Sequence, residues 1–246
     1  MDMTTVAAIA LLMAVAAALY SSIGHGGASA YLAIMALFSV APETMRPTAL
    51  ALNLVVSALA AWSFARHGQT NFRLLAAFAV TAVPAAFVGG LVQLPPDYYR
   101  PLVGIVLIAA AVRLFWQPES LAARTPKPPP LAISLPAGAG LGLLAGLTGT
   151  GGGIFLSPLI ILFGWEEPRR TSGVAAAFIF LNSAAGLAGN AAGVEALPAE
   201  LPIFVAAVAA GALLGIWGGV SRLPRERLLQ ALGLVLVIAG LKLLLT

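Results

Sequence analysis

Two glycine-rich breaks in otherwise apolar sequence constrain the fold of this chain more than any other feature. The first break reads IGHGGASAYL at residues 23–32, and the second reads TGTGGGIFLSPL at residues 148–159. Each leads into a short apolar run and then into a charged turn, PETMRPT at 42–48 and EEPRRTS at 166–172. Because the same order of features occurs twice, the sequence indicates a chain built from two structural repeats.

The composition sets the environment in which these breaks must fold. Of the 246 residues, 60% are hydrophobic and only 9% are charged, and the mean hydropathy is +0.98. Soluble domains carry about 25% charged residues. The apolar stretches are continuous and do not alternate with polar residues, which favours helices over an outer-membrane barrel. We therefore predict an all-α integral membrane protein.

Several classes of function are excluded by the same counts. The chain has no cysteine, which rules out disulfides and thiolate metal sites, and its two histidines are too few for an all-histidine site. We predict no metal and no cofactor. The basic residues are scattered over several connections, which argues against nucleic-acid binding. No paired acids, HExxH run or Ser/His/Asp set lies in the apolar segments, so we predict no enzymatic activity.

Ten apolar runs divide the chain into two halves of five. They lie at 4–22, 28–41, 48–65, 73–93, 100–116, 131–147, 153–164, 172–193, 198–219 and 228–245. The polar, proline-rich stretch 117–130 cannot continue either flanking helix and separates an N-terminal repeat, 1–116, from a C-terminal repeat, 131–246. The second run of each half is too short to cross about 30 Å of hydrocarbon. We predict eight full spans and two half-helices, with ten full spans as the alternative.

The positions of the basic residues predict the orientation. If the first run of each half and its short partner make one excursion into the membrane and back, ten of the thirteen basic residues share one side. Those ten are Arg66, Arg73, Arg113, Arg124, Lys127, Arg169, Arg170, Arg222, Arg225 and Arg227. Since cytoplasmic loops are enriched in Lys and Arg, we predict a multi-pass protein of the cell membrane, such as the bacterial inner membrane. Both termini are expected to be extracytoplasmic and the linker cytoplasmic.

The odd number of segments per half predicts inverted repeats, with the two breaks reaching the midplane from opposite faces. Glycine permits a positive φ and exposes backbone N–H groups, and each break leads into a helix N-terminus that attracts negative charge. Two such termini would form an anion site without a membrane-embedded lysine or arginine. The alternative is close helix packing through small residues.

The second break, with Gly149, Gly151, Gly152 and Gly153 followed by Pro158, resembles the GxGGG…P signature of the sulfite exporter TauE/SafE family of permeases. The first break is similar to the weaker N-terminal version of that signature. The resemblance covers nearly the whole chain. It implies a secondary transporter of small sulfur-containing anions or organic acids, and it does not specify which anion. Ala28 stands where the second copy has Gly153, so the two half-sites are expected to be unequal.

The candidate substrate-binding residues combine the breaks with nearby polar side chains. They are Ser22, Gly24, His25, Gly26, Gly27, Asn53, Ser57, Thr148, Gly149, Thr150, Gly151, Gly152, Gly153 and Asn182. Asn53 and Ser57, and Asn182 with Ser183 in the corresponding segment, either donate hydrogen bonds to an oxyanion or bridge helices. His25 either binds the anion or carries a coupling proton, or it lies in a surface loop.

Arg46 and Arg170 follow the two short segments in matching charged turns, each three residues after a glutamate. They are candidates for the two entrances, where they would attract anions or form gating salt bridges. The alternative is a solvated loop. Together, these patterns predict a permease that moves a small anion, a sulfur oxyanion or organosulfonate, by alternating access. A drug/metabolite-type exporter and a passive anion channel are the alternatives, and the oligomeric state stays open.

Overall fold

The computed structural model describes residues 2–22, 24–115, 126–218 and 225–245, which form ten α-helices, one 3₁₀ turn and their connections. The N-terminal half contains α1 Met3–Ser21, α2 Ala28–Leu37, α3 Pro42–Arg66, α4 Phe72–Leu91 and α5 Pro96–Phe115. The C-terminal half contains α6 Leu131–Thr148, α7 Gly153–Leu162, α8 Pro168–Gly189, the 3₁₀ turn Ala191–Ala196, α9 Leu201–Gly218 and α10 Arg225–Leu245. The all-helical prediction is confirmed for this part of the chain. Residues 117–125, most of the predicted linker 117–130, lie outside the described residues.

Six helices are long and apolar enough to cross a membrane, among the residues that are described: α1, α3, α4, α5, α6 and α8. The apolar parts described for α9 and α10, Leu201–Trp217 and Leu232–Leu245, are shorter. Helices α2 and α7 have ten residues each, which corresponds to about 15 Å or half of the hydrocarbon thickness. Both are shorter than their predicted runs, which favours half-helices over ten full spans.

Two long helices, α3 and α8, begin earlier than predicted. The apolar pattern places their starts at residues 48 and 172, whereas the helices begin at Pro42 and Pro168. Proline is favoured in the first turn of a helix because that turn leaves its backbone N–H groups without intrahelical acceptors. The charged turn 42–48 and residues 168–172 of the other charged turn are therefore helical, at the starts of α3 and α8, whereas Glu166 and Glu167 precede α8.

Helices of one half pack mainly against helices of the other. The first helix of each half lies on the fourth helix of the other half, α1 on α9 and α6 on α4, while α3 packs on α8 and α5 on α10. Glycines allow close approach in the α4–α6 pair, where a Cβ on Gly142 or Gly146 would overlap the carbonyl of Ala82 or Ala86. The breaks are consequently enclosed by helices from both halves.

Candidate functional site

Both breaks end in a glycine with a left-handed backbone that starts the following half-helix. Gly27 precedes α2 with φ +92°, and Gly152 precedes α7 with φ +74°. Three more break glycines have positive φ, at +75° for Gly24, +86° for Gly149 and +72° for Gly151. A side chain is rarely compatible with this conformation. Glycine is thus required at these positions by the course of the chain alone.

The N-termini of both half-helices lack a side-chain cap, because Gly27 and Gly152 have no side chain to supply one. The first N–H groups of a helix have no intrahelical acceptor and carry roughly half a positive charge. At the opposite end of α2, the ammonium of Lys242 donates to the carbonyl oxygens of Ala36 at 2.9 Å and Leu37 at 3.1 Å. This contact neutralises the negative end of α2 and leaves its positive end directed at the break.

The two breaks meet at the same pair of side chains halfway along α3 and α8. A Cβ placed on Gly26 would overlap the Asn53 amide and lie 3.0 Å from Ile179 Cγ2. A Cβ on Gly151 would overlap the same amide and lie 2.9 Å from the same methyl group. The Asn53 amide therefore lies between the breaks, with Oδ1 toward Gly26 and Nδ2 toward Gly151. All four residues are buried.

The Asn53 amide is anchored on one side only. Its Nδ2 donates to Ser183 Oγ of α8 at 2.9 Å, whereas Oδ1 has no hydrogen-bond partner among the described residues although Asn53 is fully buried. Because a serine hydroxyl both donates and accepts, the amide can turn by 180° and keep its bond to Ser183. It would then present N–H groups toward Gly26, which an anion requires.

The outer ends of the breaks lie against the first turns of the long helices. A Cβ on Gly24 would overlap the backbone of Ser172 in α8, and a Cβ on Gly149 would lie 3.1 Å from the carbonyl oxygen of Arg46 in α3. The first break therefore extends from the start of α8, and the second from the start of α3, to the point where the middle parts of α3 and α8 meet. Three residue pairs in α3 and α8 share a separation of 126 residues: Pro42 and Pro168, Arg46 and Ser172, Asn53 and Ile179.

The threonine and serine hydroxyl groups predicted to bind substrate donate hydrogen bonds to residues close to them in the chain. Thr148 donates to the carbonyl oxygen of Leu144 at 2.7 Å, so Thr150, 2.9 Å from the Thr148 hydroxyl, is the donor in that pair. Ser22 donates to the carbonyl oxygen of Leu19 at 2.7 Å. In this arrangement the donors that remain for an anion are backbone N–H groups and the Asn53 amide.

Ser57 and Asn182 also bond within their own helices. Ser57 Oγ lies 3.4 Å from the carbonyl oxygen of Leu54, and Asn182 Nδ2 donates to that of Phe178 at 2.9 Å. Ser183, next to Asn182, contacts the second break together with Ile179. No group of three His, Cys, Asp or Glu side chains that could hold a metal ion occurs in the described part of the chain.

His25 is buried in the first break, with 7% of its surface exposed, so the interpretation as a surface-loop histidine is wrong. Its ring meets the edge of Tyr20 at a centroid distance of 6.3 Å. The Tyr20 hydroxyl lies 2.9 Å from Ser29 Oγ at the start of α2, and Tyr31 donates to the carbonyl oxygen of Gly26 at 3.0 Å. These contacts fix the break on both sides of the histidine.

Arg46 and Arg170 do not occupy equivalent positions. Arg46 is 4% exposed, and its Nη1 and Nη2 atoms donate to the carbonyl oxygens of Val92 at 2.8 Å, Gly89 at 2.7 Å and Gly90 at 2.6 Å. It therefore binds the C-terminal end of α4 and is not a solvated loop residue. Arg170 is exposed. The residue of α8 that matches Arg46 by contact and by separation is Ser172.

Ile179 was not nominated from the sequence, and Ser183 was considered only together with Asn182, although both contact the breaks. Matching Asn53 to Asn182 by residue type gives a separation of 129 residues. The separation of the two helix-starting prolines, 126 residues, instead assigns Ile179 to Asn53 and Ser183 to Ser57. The two prolines are visible in the sequence, but the residues of α3 and α8 can be aligned on them only when they are known to start these helices.

Comparison with known proteins agrees with this architecture of broken, apolar helices. The family model described as "Sulfite exporter TauE/SafE" matches residues 9–243. The chain is 39% identical over 239 residues to the "Probable membrane transporter protein y4hK" of Sinorhizobium fredii (strain NBRC 101917 / NGR234), covering 96% of this chain and 97% of that protein. No solved structure matches the chain. The chain belongs to the sulfite exporter TauE/SafE family and is a membrane transporter.

Proposed function

We propose that this transporter moves a small anion by alternating access, and that the two breaks together form one central binding site. The observation that carries the proposal is the shared contact of Gly26 and Gly151 with Asn53 and Ile179. Two uncapped helix N-termini lead away from this point, and the buried Asn53 amide lies between the breaks with an unpaired oxygen. Backbone N–H groups at helix N-termini bind sulfate-like and carboxylate groups well.

The substrate class that fits this site is a small oxyanion. A sulfur oxyanion or organosulfonate has several oxygen atoms around one centre, so it can accept hydrogen bonds from both half-helices at once. The curated relative is described only as a probable membrane transporter, whereas the family is named for sulfite export. Sulfite is therefore the first anion to test, followed by thiosulfate, sulfonates and small carboxylates.

Alternating access is supported by the packing of helices of one half against helices of the other half. The pairs α1–α9 and α6–α4, with α3 on α8 and α5 on α10, are those expected of two inverted repeats related by a pseudo-twofold axis in the membrane plane. Each break begins at the first turn of α8 or α3 and ends at the same central residues. Rocking one half against the other would open the site toward one side at a time.

We also propose the orientation given by the basic residues, with both termini extracytoplasmic and the linker cytoplasmic in a cell membrane. His25 is the proposed carrier of a coupling proton, because it is the titratable side chain of the first break. A drug/metabolite-type exporter with ten full spans fits less well, since α2 and α7 have ten residues each.

A flux assay in proteoliposomes tests the proposal and separates a carrier from a channel. Purified protein is reconstituted, and uptake of radiolabelled sulfite is compared with uptake of thiosulfate, methanesulfonate and acetate. A carrier predicts that unlabelled sulfite on the opposite side accelerates exchange of the label. Uptake without such acceleration would indicate a passive anion channel, and no uptake of any of these anions would contradict the assignment of an anion substrate.

A further inference from the structure

Arg46 has a buried donor that the rest of the described structure does not use. Three bonds to carbonyl oxygens occupy its Nη1 and Nη2 atoms, but Nε–H is buried without a hydrogen-bond partner among the described residues. An unsatisfied buried donor on a charged group is costly and needs an explanation. The three carbonyl bonds explain why Arg46 is held at the end of α4, but they do not explain the unpaired Nε–H.

The unpaired group lies at the outer end of the second break. A Cβ on Gly149 would lie 3.4 Å from Arg46 Cγ, which is separated from Nε by a single methylene group. Thr148, whose carbonyl oxygen accepts from the Tyr99 hydroxyl at 3.2 Å, immediately precedes Gly149. Arg46 is seven residues before Asn53, or about 10 Å along α3. A small anion at Arg46 would therefore lie one short step from the central site.

The local charge favours an anion at this position. The C-terminal end of α4 carries roughly half a negative charge, so about half of the positive charge of Arg46 remains uncompensated. The guanidinium is weakly hydrated and its N–H groups match oxyanion geometry, which suits it to a partly dry site. The three carbonyl contacts also hold it in place before an anion arrives.

We propose that Arg46 forms a second anion subsite, a transit position for small oxyanions between the central site and the membrane side at which α3 begins. This inference rests on the proposed anion transport, and it adds that the approaches to the central site from the two sides of the membrane differ in anion binding. At the outer end of the first break the matching residue is Ser172, which has no charge and donates to the carbonyl oxygen of Pro168 at 3.3 Å. A buried arginine therefore lies on one approach only, whereas the arginines at the start of α8, Arg169 and Arg170, are exposed.

The test measures KM for sulfite from each side of proteoliposomes in which the protein has one orientation. Arg46→Gln removes the charge and Nε–H, and we expect KM to rise about tenfold on the side of Arg46 and to stay constant on the opposite side. Arg46→Lys keeps the charge, can still bind the α4 carbonyls, and should give a smaller increase on the same side. Arg169→Gln, an exposed arginine in α8, is the matched control.

The outcomes are distinct. Equal changes in KM on both sides would mean that Arg46 acts through the fold or the central site, and an unchanged KM would mean that no anion binds there; either result overturns the subsite. If Arg46→Gln does not fold, as judged by its thermal unfolding, Arg46→Lys carries the test. Wild-type protein that transports none of the anions would instead contradict the proposed function.

Discussion

Asn53 is the residue through which the two breaks contact each other. Its amide occupies the space left by the absent side chains of Gly26 and Gly151, and its bond to Ser183 links α3 to α8 at mid-length. A carboxamide is suited to this place because it offers donors and an acceptor without a charge that would be costly to bury. Its Oδ1 is unpaired on the Gly26 side, and a 180° turn of the amide would place Nδ2 there as a donor to an anion.

Replacement of Asn53 should impair transport more than replacement of Asn182. Both side chains are fully buried, but Asn53 lies between the breaks, whereas Asn182 donates within its own helix. We expect Asn53→Ala to lower the initial rate of sulfite uptake about tenfold or more, since one charged-group hydrogen bond is worth about 1.5–3 kcal/mol. Asn182→Ala should have a clearly smaller effect. Equal losses, measured at equal amounts of reconstituted protein, would remove Asn53 from the site.

The role of His25 can be separated from that of a purely structural residue by the pH profile. If His25 carries the coupling proton, His25→Gln should flatten the dependence of sulfite uptake on pH between about 5 and 8, where histidine titrates. His67→Gln is the control, because His67 is exposed at the end of α3. A profile of unchanged shape in His25→Gln would show that another group, or no proton, is coupled to transport.

At the scale of elements, the half-helices depend on glycine for two different reasons. Gly151 has φ +72° and is enclosed by Asn53, Ile179 and Ser183, so both its backbone and its surroundings exclude a side chain. Gly26 has no positive φ, and the tightest obstacle to a Cβ is the Asn53 amide. A substitution that removes the Asn53 amide should therefore compensate for a side chain at position 26 but not for one at position 151.

Gly26→Ala should destabilise the protein, and Asn53→Ala should restore much of the lost stability by removing the overlap. The same second change should not rescue Gly151→Ala, because the strained backbone remains. Thermal unfolding in detergent measures this. Transport should be lost in all of these variants, since each alters the site. Rescue of both glycine variants, or of neither, would contradict the packing described for Asn53.

Sequence patterns predict which helices form better than they predict the residues at which those helices begin. The number of segments, the short second segments and the glycine breaks follow from hydropathy and glycine content, because the bilayer imposes length and apolarity directly. The starts of α3 and α8 were missed since Pro42 and Pro168 precede polar residues that hydropathy assigns to a loop. The earlier start places Arg46 inside α3, but its burial comes from packing against the end of α4, since Arg170 in the equally early α8 is exposed.

At the scale of the whole molecule, sequence alone does not specify which helices pair. Contacts such as α1 on α9 join residues far apart in the chain, and the small residues that permit them occur in many helices. The convergence of both breaks on Asn53 and Ile179 is a product of this pairing. Hence a central site that contains the break glycines and Asn53 is predictable from the sequence, whereas the contact of both breaks with Ile179 is not.

The orientation is a prediction for the whole molecule that reporter fusions can test. Alkaline phosphatase fused to the C-terminus should be active, because the enzyme folds only outside the cytoplasm, and a fluorescent protein inserted in the 117–130 linker should be bright. A fluorescent C-terminal fusion combined with a dark linker insertion would reverse the proposed topology. It would leave the geometry of the breaks unchanged.

The central claim is that both breaks hold one anion, and locating a bound selenite tests it most directly. Selenite has the charge and pyramidal shape of sulfite, and its selenium can be identified by anomalous scattering in crystals of the wild-type protein. The account predicts a selenium peak beside Asn53, in contact with backbone N–H groups of both the Gly26 and the Gly151 break. A selenite that is bound at only one break, or remote from both in a protein that transports it, would contradict the account.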